Sequence, residues 1–252
     1  MQAATLSKAD TPVGRDLHSD ALCYEVLGKR ILEDISFRTA PRRLGVVGRN
    51  GSGKSTLARL IAGLARPTTG ALRLHGIDPA TDRKAALTTV GILFQNPDHQ
   101  IIFPTVREEI EFGLRQLGQG KEQAAQGVAQ TLAHFGKAHW IDANVGALSQ
   151  GQKQLLCLMS VAAMQPATLI LDEPLSGLDI PTKIQLRKYF HGYRGNLIHI
   201  THNPDDIREF DQLLWLEAGR IAAFGPCADV LQRYETRMAQ WGDTDDISDL
   251  TD

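Results

Sequence analysis

The segment Gly48-Arg49-Asn50-Gly51-Ser52-Gly53-Lys54-Ser55 sets a lysine and a hydroxyl directly behind a glycine-rich turn, at the spacing G-x-x-x-x-G-K-[ST]. Leu44-Gly45-Val46-Val47 before it reads as a buried strand, and Thr56 to Leu64 after it carries apolar residues at helical spacing. A turn from strand to helix aims several backbone N–H groups and the positive end of a helix at one point, where phosphate oxygens bind well. The pattern predicts phosphate contacts from the backbone of residues 48 to 56, with Lys54 reaching the β/γ-phosphates and the Ser55 hydroxyl on Mg²⁺. A second constellation lies downstream. Thr168-Leu169-Ile170-Leu171 is an apolar strand that ends in two carboxylates, Asp172 and Glu173. Ligands of open α/β sheets sit at the carboxyl ends of strands, so both acids belong beside the phosphate loop. Asp172 suits Mg²⁺, directly or through water, and Glu173 suits a base or water-orienting group near the γ-phosphate.

The elements that must position these groups alternate between strand and helix. Leu22 to Val26, Ile31 to Phe37, Leu72 to His75, Val90 to Phe94, Leu197 to Thr201, Leu213 to Leu216 and Gly219 to Phe224 read as strands, and Leu72 to His75 stops at Gly76 as a hairpin strand would. Residues 96 to 164 read as mostly helical. Thr105-Val106-Arg107-Glu108 has the spacing of a capping box that starts a helix to about Leu117, and Lys121 to Phe135 supplies another. Pro226 to Tyr234 reads as a closing helix. The expected plan is an α/β fold, a sheet core with an inserted helical subdomain at about 96–164 and a small antiparallel β subdomain. Residues 1–19 are expected to form a disordered leader, 20–235 the domain, and 236–252 an acidic tail.

Composition narrows the function classes. The 252 residues are 42% hydrophobic and 22% charged with a formal net charge of -2, ordinary for a globular domain and poor for general nucleic-acid binding. No run approaches the roughly 18–20 apolar residues of a membrane span. Leu155 to Met164 reads as a buried helix. The polar N-terminus lacks the apolar core of a signal peptide, and Cys23, Cys157 and Cys227 suit a reducing compartment, so a cytoplasmic location is expected. His199-Ile200-Thr201-His202 is the one histidine pair that invites a zinc reading, yet no cysteine or carboxylate cluster flanks it.

Beyond the phosphate loop and the paired acids, the ordered set resembles the ABC-type ATPases. Leu148-Ser149-Gln150-Gly151-Gln152 resembles the family's signature, which usually reads LSGGQ. Gln95 after a strand resembles its Q-loop glutamine, Ser176-Gly177-Leu178-Asp179 its D-loop, and His202 its switch histidine. The resemblance covers Gly48 to His202 and implies a P-loop NTPase fold. It implies ATP and Mg²⁺ as cofactors, with Ser55, Gln95 and Asp172 at the metal. It also implies a head-to-tail dimer with a second ATPase subunit, and because this chain carries both surfaces a homodimer would build two complete sites, with a heterodimer the alternative. Each ATP would lie between Lys54 of one subunit and Ser149, Gly151 and Gln152 of the other, with Asp179 acting across the interface. Glu173 would orient water, His202 contact the γ-phosphate, and Gln95 complete the metal and water shell. Three positions depart from the pattern: Gln150 replaces the first signature glycine, Leu155 stands where arginine is frequent, and the adenine-stacking position aligns with Val26 or Tyr24 rather than a clear aromatic.

The run Phe94-Gln95-Asn96-Pro97-Asp98-His99-Gln100-Ile101-Ile102-Phe103-Pro104-Thr105-Val106 resembles that of energy-coupling factor (ECF) transporters, and within them most the ATPases of bacterial biotin uptake systems. That resemblance implies docking of a transmembrane coupling protein on Asp98 to Phe103, a separate substrate-binding membrane protein, no nucleic acid, and a peripheral place on the cytoplasmic face of the inner membrane. The short C-terminus agrees with this group. A cobalt or nickel importer of the same type is the nearest alternative. A soluble ABC-type ATPase acting on DNA or ribosomes fits less well, because heptads and a basic balance are missing. A regulator that never hydrolyses fits poorly with intact Asp172, Glu173 and His202, although Gln150 weakly favours it.

Overall fold

The computed structural model describes residues 16–40 and 42–242. Its chain order begins β1 (Leu17–Val26), β2 (Lys29–Thr39), β3 (Arg43–Val47), α1 (Lys54–Ile61), β4 (Thr69–Leu74), α2 (Arg83–Thr89) and β5 (Val90–Leu93). A helical stretch follows, α3 (Val106–Gln116), α4 (Lys121–His134) and α5 (Gln150–Ala163). The remainder is β6 (Thr168–Asp172), α6 (Ile180–Gly192), β7 (Asn196–Ile200), β8 (Gln212–Glu217), β9 (Arg220–Pro226) and α7 (Cys227–Gly242).

Two sheets result. The larger has the order β5-β6-β7-β3-β8-β9, parallel through β8 and closed by the antiparallel edge strand β9. The smaller, β2-β1-β4, is antiparallel. The strands of the larger sheet are apolar without alternation because both of their faces are covered. In β6, Leu169 and Leu171 point into a core shared with α3, α4, α5 and α6, whereas Ile170 points into a second core with α1 and the small sheet. A third cluster packs α7 on β8, joining Val230, Leu231 and Tyr234 to Leu213 and Trp215.

Several boundaries differ from the sequence reading. β1 begins at Leu17 and buries Leu17 and Ser19, so 17–19 belong to a strand and not to a leader. The rest of the expected leader lies outside the described residues. At the other end α7 continues to Gly242, with Met238 and Trp241 packed against β8, so 236–242 is helix where an acidic tail was expected; residues 243–252 lie outside the described range. β4 is an edge of the small sheet through its pairing with β1, and at its end Leu74 bridges Ile77 antiparallel across the expected turn at His75 and Gly76. The capping box at Thr105 is incomplete: Thr105 Oγ1 accepts from Glu108 N at 3.3 Å, but the Glu108 carboxylate accepts from the Thr105 hydroxyl at 2.6 Å instead of from a backbone N–H. The reciprocal box forms at α5, where Ser149 N donates to Gln152 Oε1 at 2.8 Å and Gln152 N to Ser149 Oγ at 3.4 Å.

Candidate functional site

Register places the predicted residues. Val46 pairs with Ile200, Ile200 with Asp172, and Leu93 with Leu171, so β3, β7, β6 and β5 end level with one another. One or two residues past that line come Gly48, His202, Glu173 and Gln95. Four segments distant in sequence therefore reach one sheet edge because their strands are parallel and in step.

The loop between β3 and α1 is shaped by its glycines. Gly48, Gly51 and Gly53 take φ of 151°, 78° and 97°, values that cost an L side chain energy. A Cβ at Gly48 would meet Leu216 O at 2.2 Å, and one at Gly53 would meet Leu32 Cδ2 at 2.5 Å, whereas one at Gly51 would meet nothing within 4 Å. Gly51 therefore presents bare backbone to open space. Lys54 opens α1 with only 6% of its surface exposed. Its Nζ donates to Gly48 O and Arg49 O, both at 2.9 Å, so the ammonium is folded back onto the loop's own carbonyls. Burial pulls its pKa below the usual lysine range, opposed by the charges of Glu173, Asp172 and Glu217. Ser52 Oγ is buried in the same loop and has no hydrogen-bond partner among the described residues. An orphaned hydroxyl, exposed-side glycine backbone and a buried cation fit a polyanion.

Ser55 Oγ donates to Asp172 Oδ1 at 2.9 Å, joining the loop to the end of β6. Asp172 is 5% exposed. Burial raises its pKa, the Ser55 hydrogen bond draws it back, and the neighbouring Glu173 charge raises it further. This pair of hard oxygen donors fits a divalent cation such as Mg²⁺. Glu173 sits in the left-handed region at φ 50°, with its N–H donating to Ile200 O at 3.0 Å. Backbone strain of this kind concentrates where a side chain must be aimed. Its Oε2 accepts from Ser176 Oγ at 3.2 Å and lies 3.2 Å from His202 Nδ1, so acid, hydroxyl and imidazole converge. His202 is exposed and His199 is buried, and no group of three or more metal-ligating side chains occurs among the described residues.

Gln95 is exposed, on a segment fixed by its neighbours. Phe94 N donates to Gln100 Oε1 at 3.1 Å, and the buried Gln154 of α5 donates through Nε2 to Phe94 O at 3.0 Å. Lys153 adds an ion pair to Asp98 at 2.7 Å. The next stretch presents Ile102, 69% exposed, with Phe103 tilted against the partly exposed Phe112 at 5.1 Å. Beneath them the buried Glu109 carboxylate accepts from Ile102 N at 2.9 Å and Phe103 N at 3.0 Å. The sequence reading named neither Glu109 nor Gln154; a polar residue on the buried face of an apolar helix was the available signal for the second.

The signature residues are placed elsewhere. Ser149, Gly151 and Gln152 open α5, and a Cβ on Gly151 would meet Thr182 of α6 at 2.5 Å rather than any atom of the phosphate loop. Asp179 caps α6, accepting from Thr182 N at 3.0 Å. That hydrogen bonding holds its carboxyl below the usual range. Signature and D-loop thus meet at the start of α6, and the D-loop also reaches the acid at the end of β6 through Ser176. Of the two stacking candidates, Tyr24 packs on the core while Val26 is 43% exposed at the end of the β1–β2 hairpin.

Comparison with known proteins agrees with this geometry. Residues 32–176 match the family model described as ABC transporter. The chain is 50% identical to the biotin transport ATP-binding protein BioM of Rhodobacter capsulatus over 84% of its length and 90% of that protein. It is 36% identical to the energy-coupling factor transporter ATP-binding protein EcfA1 of Fusobacterium nucleatum, over 79% and 78% of the two chains. Among solved structures, cbiO1 of Clostridium perfringens, described as part of the ABC transporter complex cbiONQ, superposes with a TM-score of 0.74 at 26% identity, covering 89% of this chain and 94% of that one.

Proposed function

The chain belongs to the ABC transporter family of ATP-binding proteins and hydrolyses ATP in the service of transport; from that premise we propose that it powers an ECF-type importer whose cargo is biotin. The observation that carries the reading is the level ending of β3, β6 and β7, which gathers Lys54, Ser55, Asp172, Glu173 and His202. The names of the BioM relatives supply the cargo.

In this reading the loop from Gly48 to Thr56 wraps the phosphates, with Lys54 exchanging the Gly48 and Arg49 carbonyls for β/γ-phosphate oxygens. Those contacts are charge-assisted and therefore stronger than the ones released. Ser55, Asp172 and Gln95 hold Mg²⁺, which when bound neutralises phosphate charge. Glu173, aimed by its strained backbone and held by Ser176, takes a proton from the attacking water or orients it. His202, 3.2 Å from that carboxylate, donates to the γ-phosphate. Ser149, Gly151, Gln152 and Asp179 face the nucleotide of a second copy, a reading supported by the packing of Gly151 on Thr182 of α6. A homodimer then completes two sites. Ile102, Phe103 and Phe112 receive a transmembrane coupling protein, which works with a cargo-binding membrane protein. An exposed apolar cluster braced by a buried carboxylate suits a docking surface. No helix among the described residues is long and apolar enough to cross a membrane. The likeness to transporter ATP-binding proteins supports a peripheral place on the cytoplasmic face of the inner membrane.

Reconstitution with a transmembrane coupling protein and a biotin-binding membrane protein tests the proposal. ATP-dependent accumulation of biotin in vesicles, lost in Glu173→Gln, is the expected result. Accumulation of Co²⁺ or Ni²⁺ without biotin would reassign the cargo, and no transport of either would overturn the reading.

A further inference from the structure

The closing helix reaches the phosphate loop, which nothing in the motif set requires. Cys227, Val230, Leu231, Tyr234, Met238 and Trp241 recur at helical spacing and form the face of α7 that packs over β8 and Val47. Val47 is the last residue before Gly48 and pairs in register with Trp215. Trp215 in turn meets Tyr234 edge-on, with ring centroids 5.5 Å apart. From that face two side chains go past the strand and touch the loop itself. The Gly48 backbone lies close enough to the Tyr234 hydroxyl to oppose the upward pull of burial on its pKa. The Trp241 ring carries the Arg49 guanidinium 5.1 Å from its centroid, and that of Arg237, one turn earlier on α7, at 4.6 Å. Gly48 and Arg49 are the two residues whose carbonyls hold Lys54, and Arg49 O also accepts from Ser52 N at 3.2 Å.

We propose that α7 is a strut that presets the first half of the phosphate loop, with Tyr234 and Trp241 as positioning residues for nucleotide binding. The inference rests on the ATP-binding reading of the loop and deepens it. Residues 48 to 53 have no regular structure, so ordering them on binding would cost affinity. Contacts from a packed helix meet that cost in advance. Neither side chain contacts the reacting atoms, so the strut affects how tightly the triphosphate is held and leaves the rate at saturation alone. A cation–π contact at an exposed site has a strength corresponding to about a two- to fivefold change in affinity.

The test is ATP-Mg²⁺ titration and steady-state turnover of the full chain. Trp241→Leu is expected to raise Kd and KM about two- to fivefold with kcat within twofold of wild type. Trp241→Phe, which keeps an aromatic face, restores most of the affinity. In an Arg49→Gln background the effect of Trp241→Leu disappears. Wild-type affinity in Trp241→Leu, or a loss of the same size in the Arg49→Gln background, overturns the strut. Tyr234→Phe keeps the ring in the core and removes only the hydroxyl. It carries the test if Trp241→Leu folds poorly: a raised Kd supports the strut and an unchanged Kd overturns it. A wild-type chain that does not bind ATP would instead refute the reading of the loop.

Discussion

Replacing each loop glycine by alanine separates stability from phosphate binding. At Gly51 the added methyl meets nothing within 4 Å, and only the left-handed backbone, φ 78°, is penalised. That costs about 1–2 kcal/mol, or roughly 2–8 °C in Tm for a domain of this size. At Gly53 the methyl lands 2.5 Å from Leu32 Cδ2, a buried but movable side-chain end, at φ 97°; about 2–3 kcal/mol is expected. At Gly48 it lands 2.2 Å from Leu216 O, a carbonyl on a central strand that cannot retreat without breaking its ladder. Strain and overpacking together reach about 3–5 kcal/mol there. Binding follows the opposite order for the outer pair. Gly51 faces the space the phosphates are proposed to fill, so Gly51→Ala should weaken ATP by about tenfold or more, at least 1.4 kcal/mol, while barely unfolding. Thermal unfolding by circular dichroism and ATP titration on the three variants give both axes. A Gly51→Ala protein as unstable as Gly48→Ala, or a Gly48→Ala protein with wild-type Tm, would refute the reasoning.

His199 is buried between Phe190 and Phe210 with no partner on Nε2 among the described residues, and burial pulls its pKa down to about 4, against a smaller upward pull from Asp206 and downward ones from Arg187 and His191. The unfolded chain binds that proton first, near pH 6.5, so the stability it confers is present above that pH and is lost as pH falls toward 4. Urea unfolding should show about 2 kcal/mol lost between pH 7 and 5 from this site, and His199→Phe should remove that part of the slope; an unaltered slope contradicts the assignment. Glu109→Ala frees the Ile102 and Phe103 N–H groups, and should loosen co-purification with the proposed membrane partner while isolated ATP turnover stays within about twofold, since the two lost charge-assisted hydrogen bonds, about 1.5–3 kcal/mol each, fall on the proposed docking surface. Undiminished complex recovery would count against that surface.

Much of this was legible in the chain because the residues that do chemistry are tied to local pattern. Strand, glycine turn and helix are contiguous around Lys54, and Asp172 with Glu173 ends an unbroken apolar strand. What could not be read were contacts between distant segments. The small sheet's order depends on β1 pairing with both β2 and β4. The Thr105 cap had the right spacing, yet its carboxylate found a nearer hydroxyl proton, whereas Ser149 and Gln152, quoted for the signature alone, formed the complete box. The polar residues in α7 hid the apolar stripe that carries it on to Trp241. Glu109 left no trace in the sequence, because a single carboxylate in a helix is ordinarily solvated.

The proposed pairing of two copies around ATP is the centre of the account, and light scattering on Glu173→Gln with and without ATP-Mg²⁺ tests it most directly. The account expects the 27.6 kDa chain to double in mass only when ATP-Mg²⁺ is present, and a Ser149→Arg change in the same protein to prevent it. A single-chain mass at saturating nucleotide would contradict the account.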